Sequence, residues 1–367
     1  MRTRLLTRRQ MLSRLAGLIA MPAAASAASP PPASAPFAPV VPGYRLRFPH
    51  DEGSHPDFRL EWWYITGWLN EATRPLGFQV TFFRARPELN HDNPSRFTPR
   101  QIIIAHAALS DPALGRLSHA QRAARTALGL AGAEEGRTRV WIDDWTLAQE
   151  GAAYRCRVTD RDASLDLVFQ PTQAPLLQGE AGFSRKGPRP ESASYYYSLP
   201  HLKVGGTVAR EGKERPATGI AWLDHEWSSQ YMDDRAAGWD WLGLNLDDGS
   251  ALMAFRMRGN DGGRFWAGGA WRDPGGRVRI YNPEEIAFLP SRQWRSPRTG
   301  AAYPVACRLR AADLELEIEP LFDDQEHDTR VSTGTIYWEG AVRASRSGRR
   351  AGLGYLELTG YWRRPQL

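Results

Sequence analysis

The chain has 367 residues, a formal net charge of +6, a negative mean hydropathy and 14 Trp, 12 Tyr and 13 Phe. This length allows one to three domains with a full hydrophobic core. Residues 1–27 contain five arginines and no acidic residue, so the rest of the chain carries a formal charge of only +1. Such a nearly neutral chain does not support a nucleic-acid-binding surface, and we expect no nucleic-acid partner.

The first 27 residues have the features of an export signal in the required order. Thr7-Arg8-Arg9-Gln10-Met11-Leu12 resembles the twin-arginine motif, and an apolar run precedes a small-residue cleavage site at residues 25–27. The apolar run is too short to span a bilayer. We therefore expect a periplasmic or secreted protein exported by the twin-arginine route, with residues 28–57 forming a Pro- and Ala-rich leader.

From residue 44 onwards the sequence has the pattern of short β-strands bounded by Gly, Pro, Asn and Asp. Residues 59–70 and 76–84 predict a first hairpin. Ser118 is suited to cap a short helix over residues 121–130, where Ala and Arg dominate. Further strands are predicted at residues 101–110, 139–147, 154–159 and 164–170. The pattern therefore predicts an all-β protein with a short helical insertion.

The chain also contains an internal repeat. Two series of matching residues have constant offsets of 149 and 135 positions. The pairs include Trp145 with Trp294, Tyr154 with Tyr303, Pro171 with Pro320, Gly219 with Gly354, Leu223 with Leu358 and Trp227 with Trp362. We therefore predict a duplicated antiparallel unit, with a first domain over residues 58–227 and a second over residues 228–367.

The two repeat units end differently. The first ends in Leu223-Asp224-His225-Glu226-Trp227, whereas the second ends in Leu358-Thr359-Gly360-Tyr361-Trp362. The flanking positions match, but the acids and the imidazole are replaced. This asymmetry favours a specialised site in the first unit.

Several motifs occur together in one order along the chain. They are Glu61-Trp-Trp-Tyr, Trp222-Leu-Asp-His-Glu-Trp227, Gly238-Trp-Asp-Trp241, Tyr337-Trp-Glu-Gly-Ala-Val342 and Gly354-Tyr-Leu-Glu-Leu-Thr-Gly-Tyr361. Over about residues 44–367 the chain resembles the AttH/CrtC-type lipocalin-like proteins, which include predicted secreted hydrolases and carotenoid 1,2-hydratases. The resemblance implies two tandem lipocalin-like antiparallel β-barrels and a long hydrophobic polyene or lipid substrate.

The first and last strands of a closed barrel must pair, which would bring residues 61–66 alongside residues 220–227. Strand alternation then sets His225 on the same face as Leu223 and Trp227, and Asp224 on the opposite face. The more apolar face that includes His225 is expected to be interior. There His225 would act as an acid or base, or would be a core histidine with a satisfied hydrogen bond.

The sequence gives little support for metal or hydrolase chemistry. Adjacent strand residues point to opposite faces, so at most two of Asp224, His225 and Glu226 could share an ion. The chain contains no His-Glu-x-x-His, no cysteine pair with metal-ligand spacing and no Gly-x-Ser-x-Gly. We expect neither a metal nor a cofactor.

Hydration of a C=C bond requires an acid that protonates one carbon and aromatic faces that stabilise the resulting cation. The resemblance to carotenoid hydratases implies a His-x-Trp pair followed by Tyr-x-Asp. His225-Glu226-Trp227 matches the first pair. For the second, Tyr231-Met232-Asp233 has the right residues but comes early, whereas Trp239-Asp240 is better aligned and lacks the tyrosine.

These arguments give two hypotheses, a hydratase and a non-catalytic periplasmic carrier of hydrophobic ligands, and either one could associate peripherally with a membrane. The catalytic candidates are His225, Asp224, Asp240, Trp227 and Glu61. The substrate-binding candidates are Trp63, Trp222, Tyr231, Trp239 and Trp241.

The only two cysteines, Cys156 and Cys307, lie in predicted strands of different halves. An oxidising compartment would allow a disulfide. Their separate strands favour two buried free thiols instead.

Overall fold

The computed structural model describes residues 37–71, 74–88 and 98–365, and almost every regular element in these ranges is a β-strand. The expected export signal lies outside the described residues. Two 3₁₀ turns, His50–Glu52 and Pro283–Glu285, are the helical elements of the described part. None of the described helices is both long and apolar enough to cross a membrane.

The strands form two antiparallel sheets. The first sheet comprises β1 (Leu60–Glu71), β2 (Arg74–Ala85), β3 (Ile102–Asp111), β4 (Arg116–Arg125), β5 (Ala131–Ala133), β6 (Arg139–Ile142), β7 (Trp145–Glu150), β8 (Ala153–Thr159), β9 (Ala163–Gln170), β10 (Leu176–Leu177), β11 (Phe183–Arg185), β12 (Ala193–Arg210) and β13 (Lys213–Gln230). The second comprises β14 (Ala236–Leu246), β15 (Ala251–Gly259), β16 (Arg264–Arg272), β17 (Val278–Tyr281), β18 (Ile286–Arg295), β19 (Ala302–Ala311), β20 (Leu314–Pro320), β21 (Glu326–Asp328), β22 (Ile336–Arg346) and β23 (Arg349–Thr359).

The two sheets have the same strand order. The first runs β4-β3-β2-β1-β13-β12-β9-β8-β7 before ending in β6 and β5, and the second runs β17-β16-β15-β14-β23-β22-β20-β19-β18. Each strand of one series therefore has a counterpart in the other. The duplicated all-β architecture expected from the repeat is confirmed.

The first sheet curves into a nearly closed barrel. Its first and last long strands pair as predicted, with Glu61 opposite Trp227 and Trp63 opposite His225. At the remaining seam, the Arg122 guanidinium on β4 donates to the carbonyl oxygen of Thr159, 3.0 Å away. That contact joins β4 to the turn between β8 and β9.

The repeat has a different register from the one the sequence suggests. In the first sheet Gly219 pairs with Val204, which pairs in turn with Phe169 on the next strand. In the second sheet the matching Gly354 pairs with Val342, which pairs in turn with Pro320. Phe169 is thus the counterpart of Pro320, and the predicted superposition of Pro171 on Pro320 is wrong by two residues. A shift of two residues preserves strand alternation, so the hydrophobic pattern could not reveal it.

The same shift affects the neighbouring strands. Cys156 lies opposite Leu167, and Cys307 lies opposite Ile318, so the two cysteines are counterparts at an offset of 151. On the strand at its other side, Cys156 pairs with Leu147, and Cys307 pairs with Pro290. By this register Trp145 corresponds to Phe288, and the expected match of Trp145 with Trp294 is also wrong.

The helix predicted over residues 121–130 is wrong, because this segment contains the end of strand β4 followed by a turn. Ala120 and Ala124 pack against the first core, and between them the Arg122 guanidinium lies 4.6 Å from the Trp145 ring centroid. Side chains four residues apart share a face in both a helix and a strand. The segment is a strand because β4 pairs along its whole length with β3, Ile102–Asp111.

Residues 37–57, which the sequence analysis placed in the leader, pack against one end of the first barrel. Val40 is buried in the first core. The carbonyl oxygen of Glu52 accepts hydrogen bonds from the Thr138 hydroxyl at 2.7 Å and the Trp63 indole at 3.4 Å. The Tyr195 hydroxyl donates to the carbonyl oxygen of Val41 at 3.0 Å. This segment therefore covers the barrel end.

Strand alternation gives the central strands of each sheet one face toward their own core and one toward the other sheet. Trp63 and Trp227 belong to the first core, and Trp338 belongs to the second. A third apolar cluster, which includes Tyr64 and Trp241, lies between the sheets. The opposed faces of the two barrels thus form a continuous interface.

Cys156 and Cys307 are free thiols buried in the two separate cores. Burial raises the pKa of Cys156 well above its ordinary value and that of Cys307 to about 12. We predict that a thiol reagent labels neither cysteine in the native protein and both in guanidinium. Reductant is expected to leave the melting temperature unchanged. A lower melting temperature in dithiothreitol would contradict this assignment.

Candidate active site

A cavity of about 350 Å³ lies between the facing surfaces of the two barrels. Strands β1, β2, β3 and β13 form one wall, and β14, β15, β22 and β23 form the other. Much of its lining consists of large apolar side chains, namely Trp62, Phe83, Trp239, Trp241, Phe255 and Met257. An apolar cleft with a few convergent polar groups is typical of a small-molecule site.

Asp224 reaches the cavity from β13 because alternation places it opposite to His225. It accepts hydrogen bonds from the Ser198 hydroxyl at 2.5 Å, the Trp222 indole at 2.6 Å and the Tyr196 hydroxyl at 2.7 Å. Burial raises the pKa of Asp224 to about 7, although these three donors favour the ionised form. The carboxyl group is thus held firmly and titrates near neutrality.

Glu357 reaches the cavity from β23. Its Oε1 accepts hydrogen bonds from the Trp239 indole at 2.9 Å and the Thr359 hydroxyl at 2.8 Å. Burial raises the pKa of Glu357 to about 7. Because Oε1 accepts both hydrogen bonds, the protonated form of Glu357 carries its proton on Oε2.

Glu339 lies directly opposite Glu357 on β22. Within the described part of the chain, neither carboxyl oxygen of Glu339 makes a hydrogen bond of good geometry, and the same holds for the Tyr64 hydroxyl, although the Tyr64 and Tyr337 hydroxyls lie close enough to Glu339 to favour its ionised form. Both residues are buried and line the cavity. Burial, followed by the nearby Glu357, raises the pKa of Glu339 well above its ordinary value. These surroundings therefore favour the protonated form of Glu339.

A fourth cavity carboxyl, Glu226, has a cationic partner. Its Oε1 lies 2.9 Å from the Lys186 Nζ and also accepts a hydrogen bond from Ser194. The Lys186 ammonium lies 4.3 Å from the Phe255 ring centroid and 4.7 Å from that of Tyr196. One wall of the cavity thus already holds an ammonium ion between a carboxylate and aromatic rings.

His225 lies on the other face of β13, inside the first barrel. Its Nε2 is 2.9 Å from Glu61 Oε1, and its Nδ1 is 3.2 Å from the Tyr197 hydroxyl. A carboxylate only accepts, so Nε2 carries the hydrogen and Nδ1 accepts from the tyrosine. Burial lowers the pKa of His225 despite the nearby Glu61. His225 is a fully buried neutral imidazole outside the cavity lining.

Glu61 is the centre of a buried charge network. Its carboxylate contacts the Arg84 Nε at 2.7 Å and the His55 Nδ1 at 2.7 Å. Burial raises the pKa of Glu61, but Arg84, His55 and His225 outweigh this effect and hold it well below its ordinary value. The same carboxylate, together with Asp51, raises the pKa of His55 against the effect of burial.

His55, Glu61 and His225 bring three potential metal-ligand atoms within 4.8 Å of one another. Their separations of 2.7 and 2.9 Å are ordinary hydrogen-bond lengths. The Arg84 guanidinium already neutralises the carboxylate that an ion would use. These contacts fit a hydrogen-bonded ion network rather than a cation site, although the buried Arg84 Nη1 has no hydrogen-bond partner among the described residues.

Some of the sequence-predicted site residues line the cavity, whereas others lie on the opposite face of their strands. Asp224, Tyr231, Trp239 and Trp241 line the cavity, together with part of Glu61. Trp222 supports the site by its hydrogen bond to Asp224. His225, Trp227 and Trp63 lie in the first core, and Asp240 is bonded to Arg256, Arg258 and Tyr361 on the far side of β14. The structure does not bring this second group to the cavity.

Sequence reasoning missed Glu339, Glu357, Lys186 and Tyr64. Both glutamates stand in motifs of the second repeat, Tyr337-Trp-Glu and Gly354-Tyr-Leu-Glu. Glu357 is the partner of Trp241 across β14 and β23, so it shares a face with a predicted substrate-binding residue. Cross-strand pairing was the signal that could have identified it.

Removal of Arg84 tests the buried network. We expect Arg84→Met to lower the free energy of unfolding by about 3–5 kcal/mol, because Glu61 would lose its buried cationic partner. Arg308→Met, at an exposed ion pair with Glu315, should cost less than about 1 kcal/mol in urea unfolding.

The lowered pKa of Glu61 predicts how its contribution to the free energy of unfolding changes with pH. Because its pKa is lowered in the folded state, its stabilisation is present above the ordinary value of 4.5 and is lost as the pH falls below it. The double variant Glu61→Gln/Arg84→Met should be more stable than Arg84→Met alone. Equal stability of these two variants would contradict the coupling.

Substitution of His225 separates a structural from a catalytic role. We expect His225→Gln to lower the free energy of unfolding by roughly 1–3 kcal/mol, because hydrogen bonds with Glu61 and Tyr197 are disturbed. Ligand binding in the cavity and turnover should persist in the folded variant. Loss of turnover without loss of stability would instead support the catalytic role predicted from the sequence.

The comparisons with known proteins agree with this architecture. A sequence profile described as AttH-like matches residues 39–361. The crystal structure of an AttH-type protein from Nitrosomonas europaea has 54% sequence identity and a TM-score of 0.84, and the match covers 89% of this chain and 100% of that one. No curated protein was found to match the sequence.

Two further structures share the fold at low identity. Kievitone hydratase from Nectria haematococca has 13% identity and a TM-score of 0.66, with 90% of this chain and 97% of that chain covered. CghA, solved with Sch210972, has 11% identity and a TM-score of 0.51, with 83% and 89% covered. The profile match and the 54% identity together show that the chain belongs to the AttH-like family.

Proposed function

We propose that this protein is a hydratase, a hydro-lyase that adds water to a C=C bond of a long hydrophobic substrate held between the two barrels. The main supporting observation is that Glu339 and Glu357 line a cavity with many aromatic side chains, where burial favours their protonated forms. Protonation of an alkene requires an acid of this kind, and aromatic rings stabilise the cation that it creates.

Glu357 is the proposed general acid. Its Oε2 proton forms the new C–H bond with the π electrons of the alkene, which leaves Glu357 ionised and a positive charge on the other carbon. The oxygen of a water molecule bonds to that carbon, and the extra proton returns to Glu357, directly or by way of Asp224. The sum of these steps is one water added across the double bond.

Asp224 is suited to orient the attacking water. Three donors fix its carboxyl group, and Tyr196 links it to the opposite wall by accepting a hydrogen bond from the Trp241 indole at 3.0 Å. Rigid placement of such a group lowers the entropy cost of the reaction. Trp62, Trp239 and Trp241 would shape the apolar part of the site.

The comparisons support this proposal at the level of fold. Kievitone hydratase carries the hydratase name on the same architecture. The resemblance to carotenoid hydratases supports a polyene or lipid as the substrate. We further propose that the protein works in the periplasm or outside the cell, as the twin-arginine-like signal suggests.

A non-catalytic carrier of hydrophobic ligands is the second candidate. The apolar lining of the cavity favours it, since retention of a lipid or polyene requires no acid. The two functions differ in what the carboxyl groups must do. A carrier would bind its ligand equally well after Glu357 loses its ability to release a proton.

We expect Glu357→Gln to lower the rate of hydration at least about a hundredfold, because the amide keeps the hydrogen-bonding shape but is no acid. Hydration is measured by mass spectrometry, as incorporation of isotopically labelled water into an acyclic polyene. Ligand retention and melting temperature should be unchanged. The exposed Glu315→Gln serves as the matched control.

The pH profile tests the same acid independently. Hydration by the unaltered protein should fall as the pH rises through about 7, because Glu357 loses its proton there. Retention of the polyene without any incorporation of labelled water, across this pH range, would favour the carrier. Full activity of Glu357→Gln would remove Glu357 from the mechanism.

A further inference from the structure

We propose that the cavity also binds organic ammonium ions with an apolar tail, holding the cationic head between aromatic rings and the carboxyl groups of Glu339 and Glu357. The inference goes beyond the proposed hydration, although it concerns the same cavity. It rests on the unpaired acids, on the arrangement of the rings and on an ammonium group that the protein already holds there.

The first observation is that most of the acidic side chains in the lining have no cationic partner. Among the lining acids other than Glu61, whose carboxylate belongs to the core network, Glu226 is paired with Lys186. Asp224, Glu339 and Glu357 have no lysine or arginine partner within the described ranges 37–71, 74–88 and 98–365. Glu339 is only 2% exposed, and neither of its carboxyl oxygens makes a hydrogen bond of good geometry there. An unsatisfied buried carboxyl is costly and points to a group that the ligand supplies.

The second observation is a set of aromatic rings beside Glu357. Tyr231 packs edge-on against both Trp62 and Trp239, at centroid distances of 5.4 and 5.8 Å. The Trp239 indole in turn donates to Glu357. Aromatic rings joined to carboxylates form the usual recognition site for quaternary ammonium groups.

The third observation is the internal ammonium of Lys186. It is held by Glu226 at 2.9 Å and by the rings of Phe255 and Tyr196. The same combination of acid and rings recurs around Glu357 without a protein cation. The cavity therefore offers two positions of similar chemistry, and the Lys186 ammonium lies at one of them.

The titratable neighbours of Glu339 predict how the affinity for an ammonium ion changes with pH. Glu339 is surrounded by Tyr64, Tyr337, Glu357 and His327, and its Oε2 lies 3.6 Å from the His327 Nδ1. Burial lowers the pKa of His327 well below its ordinary value, so this histidine is neutral and supplies no cation. An entering ammonium ion would favour ionised carboxyls, and therefore bind more tightly as the pH rises and release a proton.

Rings favour a large, weakly hydrated ion over a metal ion, which would need several oxygen ligands. The experiment therefore compares octyltrimethylammonium with 1-octanol, a neutral molecule with the same alkyl chain. Binding is followed by tryptophan fluorescence and by calorimetry in buffers of different ionisation enthalpy. We expect the cation to bind at least roughly tenfold more tightly and to release a proton.

Glu339→Gln should abolish this preference for the cation while leaving octanol binding unchanged, and the exposed Glu315→Gln should alter neither. Equal affinity for both probes, or an unchanged preference in Glu339→Gln, would overturn the proposal. These measurements involve no turnover. Ammonium binding without hydration of any polyene would count against the hydratase alone, whereas hydration without cation preference would count against this inference alone.

Discussion

The antiparallel pairing of β1 with β13 is the interaction on which the rest of the structure depends. It closes the first barrel and brings Glu61 beside His225 from opposite ends of the domain. Because side chains alternate along a strand, the same pairing sends Tyr64 and Asp224 to the opposite face. One set of hydrogen bonds thus creates both a sealed core network and a wall of the interdomain cavity.

Buried carboxyl groups have different partners inside the first barrel and in the cavity between the sheets. Inside the barrel, Glu61 has a full set of partners that includes Arg84 and His55, and it stays ionised. In the cavity, no lysine or arginine of the described ranges pairs with Glu339, and the donors to Glu357 found there are neutral, so burial raises both pKa values. A satisfied buried ion is a structural element, whereas an acid kept neutral by its surroundings is able to donate a proton.

The duplication explains why the cavity lies where it does. The two barrels repeat one strand order, and each contributes the outward face of its central strands to a shared cleft. Equivalent positions carry different residues, since Asp224 in the first unit matches Thr359 in the second. The site therefore combines Asp224 and Glu226 from one repeat with Glu339 and Glu357 from the other, although the two sheets share their topology.

The sequence by itself determined the all-β class, the duplicated unit and the pairing of the first strand with the last, because alternation and barrel closure are local and topological constraints. It also identified Asp224, Trp239 and Trp241, which the structure places in the cavity lining. It could not fix the repeat register, since a shift of two residues preserves the pattern. Alternation also set His225 on the interior face and Asp224 on the opposite one. Only the tertiary structure decided that the cavity lies on the Asp224 face and that Glu339 and Glu357 line it too, because the packing of one barrel on the other has no signature in either strand alone.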